Sequence, residues 1–138
     1  MNDGSIRSRG DGSGMARWSA MALVLALGLV GCKPAPCGPT RDVRHRTKVA
    51  VERYPASGDE TRAVLKELTT ALAAQPEAKT LQEWSSLTTS TSEFAAVLVD
   101  MNNPNLDEKR RQSVGAVMTQ RKEHLLRELN VVRDQCGE

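Results

Sequence analysis

Four stretches of helically spaced apolar residues, separated by prolines and turn residues, constrain the fold of this 138-residue chain more than any other feature. Within each stretch the apolar residues recur at intervals of three and four, which is typical of helices that bury one face. No segment alternates apolar and polar residues over the length of a strand. The sequence therefore predicts an all-α fold over residues 40–138, a small antiparallel helical bundle of four helices.

Prolines and polar caps bound the first two predicted helices. The first covers about 41–54 and ends before Pro55; its apolar stripe is weak. The second is expected to begin where Ser57 and Glu60 have the spacing of a capping box, and to end near Pro76. The stripes of the two helices are Val43, Thr47, Ala50 and Tyr54 in the first, and Val64, Leu65, Leu68, Ala71 and Leu72 in the second.

The third predicted helix runs to about residue 101 from a second capping box, formed by Thr80 and Glu83. Trp84 lies on its apolar face, and we expect this side chain to be largely buried. The segment 88–92 consists of five consecutive hydroxyl residues, which compete for backbone hydrogen bonds. A kink or break there is therefore an open alternative. The stripe comprises Leu81, Trp84, Leu87, Thr91, Phe94, Leu98 and Met101.

A turn at Asn102-Asn103-Pro104 precedes the last and longest predicted helix. Asn105 and Glu108 have the spacing of a helix start, and the helix is expected to reach about residue 135. Gly115 lowers helix stability by about 1 kcal/mol relative to alanine, so we interpret it as the mark of a close helix crossing. The apolar stripe comprises Val114, Met118, Leu125, Leu129 and Val132.

A short apolar run, Ala20 to Val30, follows Arg17 near the N-terminus. It is shorter than the roughly 20 residues that cross a bilayer and fits the core of a secretory signal. The run closes on Leu29-Val30-Gly31-Cys32, which resembles the lipobox of bacterial lipoprotein signal peptides. This resemblance implies that the Cys32 sulfur receives a diacylglyceryl group, that residues 1–31 are removed, and that the new amino group is acylated. A plain signal peptide or an N-terminal membrane helix is the alternative.

The segments around this motif complete the expected domain organisation. Residues 1–14 carry two aspartates, which is unusual for a signal peptide, so Met15 is the favoured start. Residues 32–39 form the lipidated cysteine and a proline-rich, extended tether, and the bundle occupies 40–138. Lys33 stands where enteric lipoproteins kept in the inner membrane have aspartate. The resemblance therefore implies the outer membrane, facing the periplasm of a Gram-negative bacterium.

Two cysteines remain after lipidation of Cys32, and they flank the four predicted helices. An even pair in a small exported domain favours a disulfide between Cys37 and Cys136, with two free thiols as the alternative. Four antiparallel helices bring the two chain ends to one end of the bundle, whereas three would separate them by tens of ångströms. Because a disulfide needs Cα atoms within about 7 Å, the bond and the helix count depend on each other.

The remaining candidates for chemistry are weak. His45 and His124 lie among charged residues and are expected to be exposed rather than to bind a metal or haem. The hydroxyl run 88–92 lacks the G-x-S-x-G pattern of a hydrolase nucleophile. The basic first helix and the Lys109-Arg110-Arg111 run are interrupted by acidic residues and are interpreted as solvated faces. The first helix contributes Arg41, Arg44, Arg46, Lys48 and Arg53 to this set.

Charge and stripe composition limit the classes of function. The formal net charge is +2 with acids and bases interspersed, which argues against a nucleic-acid partner. We expect no enzymatic activity, no cofactor and no metal. The sequence favours a lipid-anchored envelope protein with a structural or partner-binding role, held to the membrane through Cys32 and contacting an unidentified protein. The alternative is a periplasmic bundle that binds a small ligand or a metal.

Overall fold

Four α-helices and no strand make up residues 33–138, the part of the chain that this computed structural model describes. The helices are α1 (Cys37–Arg53), α2 (Gly58–Ala73), α3 (Gln82–Met101) and α4 (Glu108–Gln135), with a 3₁₀ turn at Pro76–Lys79 between α2 and α3. The prediction of an all-α four-helix bundle is confirmed. The predicted signal peptide 1–31 and the lipidation of Cys32 lie outside the described residues.

The helices form a closed ring in which α1 contacts α2 and α4, and α3 contacts the same two helices. Ion pairs show the direction of the α1–α2 packing. Arg46 pairs with Glu67 and Arg53 with Glu60, so α2 runs backwards as α1 advances. Contacts of Ser90 with His124 and of Glu93 with Arg121 show the same relation between α3 and α4. Neighbouring helices are therefore antiparallel, as short connections require.

Most of the core comes from the predicted apolar stripes, to which the structure adds Val51 and Ala78. Trp84 has no exposed surface, which confirms that it is buried, and Phe94 lies equally deep in the same helix. The Tyr54 and Phe94 rings pack edge to face with centroids 5.8 Å apart. Val114 and Met118, in the first half of α4, are only half-buried. The other core side chains are Val43, Val51, Leu65, Leu68, Leu72, Ala78, Leu87, Leu98, Leu125, Leu129 and Val132.

Helix α1 begins at Cys37 rather than at about residue 41, so the last part of the predicted tether is helical. Pro39 is compatible with this start because the first backbone N–H groups of a helix have no intrahelical partner. The Thr40 hydroxyl donates to the Pro36 carbonyl over 2.6 Å and holds the first turn. Only residues before Cys37 are left to connect the bundle to Cys32.

The capping hydrogen bond predicted for the start of α2 is wrong. Ser57 occupies the N-cap position of α2, but its hydroxyl donates to the Ala50 carbonyl over 2.6 Å instead of accepting from a backbone N–H of α2. Thr61 donates to the same carbonyl over 3.2 Å. The Tyr54 N–H bonds to Val51, so the Ala50 carbonyl is one of the unpaired groups at the end of α1. Because this carbonyl is buried, leaving it without a hydrogen bond would cost more free energy than leaving α2 without a side-chain cap.

The other two predicted starts are each displaced by one or two residues. Leu81, not Thr80, is the N-cap of α3, and the Thr80 hydroxyl donates to the Glu77 carbonyl. Asp107, not Asn105, caps α4, where its carboxylate accepts from the Arg110 N–H over 2.8 Å. A carboxylate at this position also complements the positive end of the helix dipole.

Helix α3 is continuous through the hydroxyl run 88–92, so the alternative of a break is not observed. Thr88, Ser90 and Thr91 each donate to the carbonyl four residues earlier, over 2.7 to 3.0 Å. These bonds use the second lone pair of each carbonyl and leave the helical ladder in place. Three of the five hydroxyls in the run are therefore satisfied within the helix.

The interpretation of Gly115 as a close helix crossing is wrong. A Cβ atom built at this position would meet no atom within 4 Å, apart from its own helix backbone and chain neighbours. The residue lies in the half of α4 that is less covered by the rest of the bundle. No packing requirement therefore explains a glycine here.

Candidate functional site

A disulfide joins the two ends of the bundle and organises the site beside it. Cys37 is the first residue of α1 and Cys136 directly follows α4; their Cα atoms are 5.7 Å apart. The predicted bond is confirmed, and with it the return of both chain ends to one end of the bundle. Both cysteines are buried.

Arg44 lies beside this disulfide and is only 3 % exposed. Its Nε donates to the Thr40 hydroxyl over 2.9 Å, and Nη2 donates to the Cys37 carbonyl over 2.9 Å. Nη1 and Nη2 each donate to one carboxylate oxygen of Glu138, both over 3.0 Å. This paired, two-point geometry satisfies a charge that would otherwise be very unfavourable in the interior.

The same guanidinium contacts the core. Nη2 lies 3.8 Å from the Cys136 Sγ, and the guanidinium carbon lies 5.5 Å from the centroid of a Trp84 ring. A cation at this distance is attracted to the face of an indole. Arg44 therefore connects α1, the disulfide, the largest core side chain and the segment after α4.

The interpretation of Arg44 as part of a solvated basic face is therefore wrong. The buried residues Cys37, Thr40, Thr47 and Val51 lie on the same side of α1, at helical spacing from Arg44. This spacing is the sequence feature that could have indicated burial of Arg44, because the arginine lies on the inner face of the helix between two threonines. Its partner Glu138 is 94 residues away, and no local pattern indicates that contact.

Glu138 is brought back over Arg44 by the turn that ends α4. Gly137 has φ of +68°, in the left-handed region that favours glycine. The Gly137 N–H donates to the Asp134 carbonyl and the Glu138 N–H to the Arg133 carbonyl, over 3.1 and 3.2 Å. This bond pair is the Schellman motif, and it reverses the chain directly after the helix.

A cleft of about 440 Å³ lies between α1 and α4, with Arg44 and Glu138 at one side. Cationic side chains predominate in its walls, which also include the apolar side chain of Leu129. Its lining residues are Arg41, Asp42, Arg44, His45, Lys48, Leu129, Arg133 and Glu138. The site therefore concentrates positive charge that the whole chain does not show.

The acidic groups at this cleft are already engaged. Asp42 accepts from the Arg46 Nε over 2.8 Å, on the outer side of α1. The hydrogen bond to Glu67, followed by that to Asp42, raises the pKa of the Arg46 guanidinium, which stays charged at every relevant pH. With Glu138 bound to Arg44, the exposed guanidinium of Arg41 determines the potential of the open side.

The two histidines have different environments. His45 is exposed, as predicted, and lines the cleft. His124 is half-buried: Nδ1 lies 3.5 Å from the Ser90 Oγ, and Nε2 lies 3.3 Å from Glu128. This order resembles a hydrolase triad, but Ser90 is 1 % exposed and donates to the Ser86 carbonyl. The arrangement therefore connects α3 to α4 and offers no accessible nucleophile.

Residues 33–138 contain neither a metal-binding cluster nor a membrane-spanning helix. No group of three or more His, Cys, Asp or Glu side chains in this range is placed to hold a metal ion. Among the helices described, none is long and apolar enough to cross a lipid bilayer. Comparison of the chain with protein-family models, curated proteins and solved structures finds no match.

Proposed function

We propose that this chain is a lipid-anchored protein of the bacterial cell envelope, with a structural or partner-binding role. The observation that carries the proposal is the disulfide between Cys37 and Cys136. Such bonds form and persist in oxidising compartments, which include the bacterial periplasm. The Leu29-Val30-Gly31-Cys32 motif supplies the second support, because it resembles a lipoprotein signal.

The short connection to Cys32 gives the proposed anchor a geometric consequence. Cys37, the first residue of α1, follows Cys32 by five positions, which corresponds to at most about 18 Å of extended chain. The end of the bundle that carries the disulfide, Arg44 and Glu138 therefore stays close to the lipid. Lys33 after the anchor favours the outer membrane, with the bundle facing the periplasm.

The proposed role is binding at the surface rather than chemistry in the core. Apart from Arg44 and several hydroxyl residues, aliphatic and aromatic side chains fill the interior positions of the four helices. The exposed apolar side chains Val99 and Val117 lie on α3 and α4 and are available to a protein partner. We expect no enzymatic activity from this arrangement.

Mass spectrometry of the mature N-terminus tests the anchor. We expect a diacylglyceryl-modified and acylated Cys32 as the first residue, recovered in the membrane fraction. Cys32→Ala should abolish both the modification and the membrane retention. The matched control, Cys37→Ala together with Cys136→Ala, removes two cysteines and should leave lipidation unchanged. An unmodified N-terminus away from residue 32 would refute the anchor.

A further inference from the structure

We infer that the cleft between α1 and α4 binds a phosphate group, and that the Glu138 carboxylate competes with this ligand for the same cations. The cleft, of about 440 Å³, falls within the size range of small-molecule sites. Its cationic side chains come from two helices: Arg41 and Lys48 from α1, and Arg133 from α4; the imidazole of His45 lines the same cleft. The ligand therefore contacts both elements that the disulfide joins.

The bound Glu138 shows what this site recognises. Its two carboxylate oxygens accept from two nitrogens of Arg44, and Oε1 also lies 3.9 Å from the Arg41 Nε. A phosphate offers oxygens in the same forked arrangement, with more negative charge. The arrangement of donors that holds the carboxylate is therefore also suited to a phosphate group whose oxygens occupy the same positions.

The other cations retain capacity for a ligand. The Arg41 side chain is 73 % exposed, and its contact with Glu138 is at the limit of an ion pair. Lys48 is paired with Glu52 and Arg133 with Asp134, and both carboxylates are exposed to solvent. Such exposed pairs contribute little stability, so exchanging a carboxylate for a more highly charged phosphate is feasible.

Phosphate could come from a soluble compound or from a phospholipid headgroup. The cleft extends from the end of the bundle that carries Cys37, and the proposed anchor at Cys32 precedes Cys37 by five positions in the sequence. The headgroup source rests on the proposed lipid anchor, whereas binding of inorganic phosphate does not. The phosphate site and the lipid anchor can therefore be refuted independently of each other.

Isothermal titration calorimetry of the full chain in nonionic detergent, at constant ionic strength, tests the inference. Inorganic phosphate should bind saturably to the unaltered chain. The double variant Arg41→Gln and Arg133→Gln should bind at least about tenfold more weakly, because two charge-assisted contacts are lost. The matched control, Lys109→Gln and Arg110→Gln, removes the same charge at the far end of α4 and should stay within about twofold, since that site is screened.

Glu138→Gln separates competition from simple charge attraction. Removal of the competing carboxylate should strengthen phosphate binding by about tenfold or more, in keeping with the loss of a charge-assisted pair. Circular dichroism verifies that each variant is folded. Weaker binding by this folded variant, equal weakening in the Lys109 and Arg110 control, or non-saturable binding in all proteins would overturn the inference.

A second titration with glycerophosphoglycerol, a phosphodiester headgroup without acyl chains, distinguishes the sources. Saturable binding that is weakened by the Arg41 and Arg133 substitutions assigns the cleft to phospholipid headgroups. Binding of inorganic phosphate alone assigns it to soluble phosphate compounds. Absence of binding by both probes would refute the phosphate site and leave the lipid anchor, measured by mass spectrometry, unaffected.

Discussion

At the scale of single residues, Arg44 shows how a small bundle accommodates a buried charge. Transfer of an ion from water to a protein interior is unfavourable by several kcal/mol unless its donors are satisfied. Here Nε, Nη1 and Nη2 all donate to oxygen acceptors, and two of these bonds go to one carboxylate. The planar guanidinium also fits over the indole of Trp84.

Arg44→Lys should therefore destabilise the protein although it keeps the charge. A lysine cannot donate to both Glu138 oxygens in the forked geometry, and we expect a loss of about 1.5–3 kcal/mol. The matched control is Arg41→Lys on the same helix, whose exposed side chain should change stability by at most about 0.5 kcal/mol. Urea unfolding followed by circular dichroism measures both; equal effects would mean that the two arginines have equivalent surroundings.

Trp84→Ala should be the most damaging single truncation in the core. The side chain has no exposed surface, and removal of such a residue typically lowers the free energy of unfolding by about 3–5 kcal/mol. Val99→Ala, at a position that is 70 % exposed, should change it by at most about 0.5 kcal/mol. Tryptophan emission provides a second measurement on the chain without residues 1–31, in which Trp84 is the single tryptophan: the native protein should emit at short wavelength and shift to the red on unfolding.

These two residues also show what the sequence could predict at this scale. Burial of Trp84 was predicted correctly because a large apolar residue at helical spacing with other apolar residues lies on the face that the helix buries. Arg44 was not, since arginine is mostly exposed and its carboxylate partner lies at the other end of the chain. Burial of a charge depends on partners that are distant in sequence, and the local sequence pattern does not identify them.

At the scale of elements, the existence of the helices was predictable and their ends were not. Periodicity over many residues identified four helices, because burying one apolar face requires that spacing. The capping patterns at Ser57 and Thr80 have the right residue types, yet both hydroxyls donate to carbonyls instead. A hydroxyl bonds to whichever backbone group lacks a partner, and that group is known only once the turn is folded.

The two glycines of the α4 region make a matched pair for testing helix energetics. Gly115→Ala should stabilise the protein by about 1 kcal/mol, since the added methyl group meets open space and alanine favours the helix. Gly137→Ala should destabilise it by about 1–2 kcal/mol, because a left-handed φ is unfavourable for residues with a Cβ atom. Thermal unfolding gives both values. A loss of stability in Gly115→Ala would indicate that another group packs against this surface and leaves no room for a Cβ atom.

At the scale of the whole molecule, the covalent bond and the topology depend on each other. The antiparallel ring of four helices places the start of α1 beside the end of α4, which satisfies the geometric requirement of a disulfide. Helix count and cysteine positions were sufficient to predict this arrangement from the sequence. The cleft was not predicted, because it requires the register between α1 and α4, which helical periodicity alone does not fix.

Removal of the disulfide should lower stability more than any surface change in this protein. The bond closes a loop with a sequence separation of 99 residues, and restriction of the unfolded chain by a loop near this size contributes up to about 4.7 kcal/mol. We expect Cys37→Ala with Cys136→Ala to stay helical at low temperature and to lose about 2–5 kcal/mol of unfolding free energy.

The reduced unaltered chain serves as the control for this experiment, since it lacks the bond but keeps the cysteine side chains. Its urea midpoint should fall to that of the double alanine variant, because restriction of the unfolded chain is lost in both. The Arg44–Glu138 pair connects the same two ends without a covalent bond, so the native helix content should be retained. Unchanged midpoints in both proteins would show that the packed core and this ion pair alone hold the ends of the bundle together.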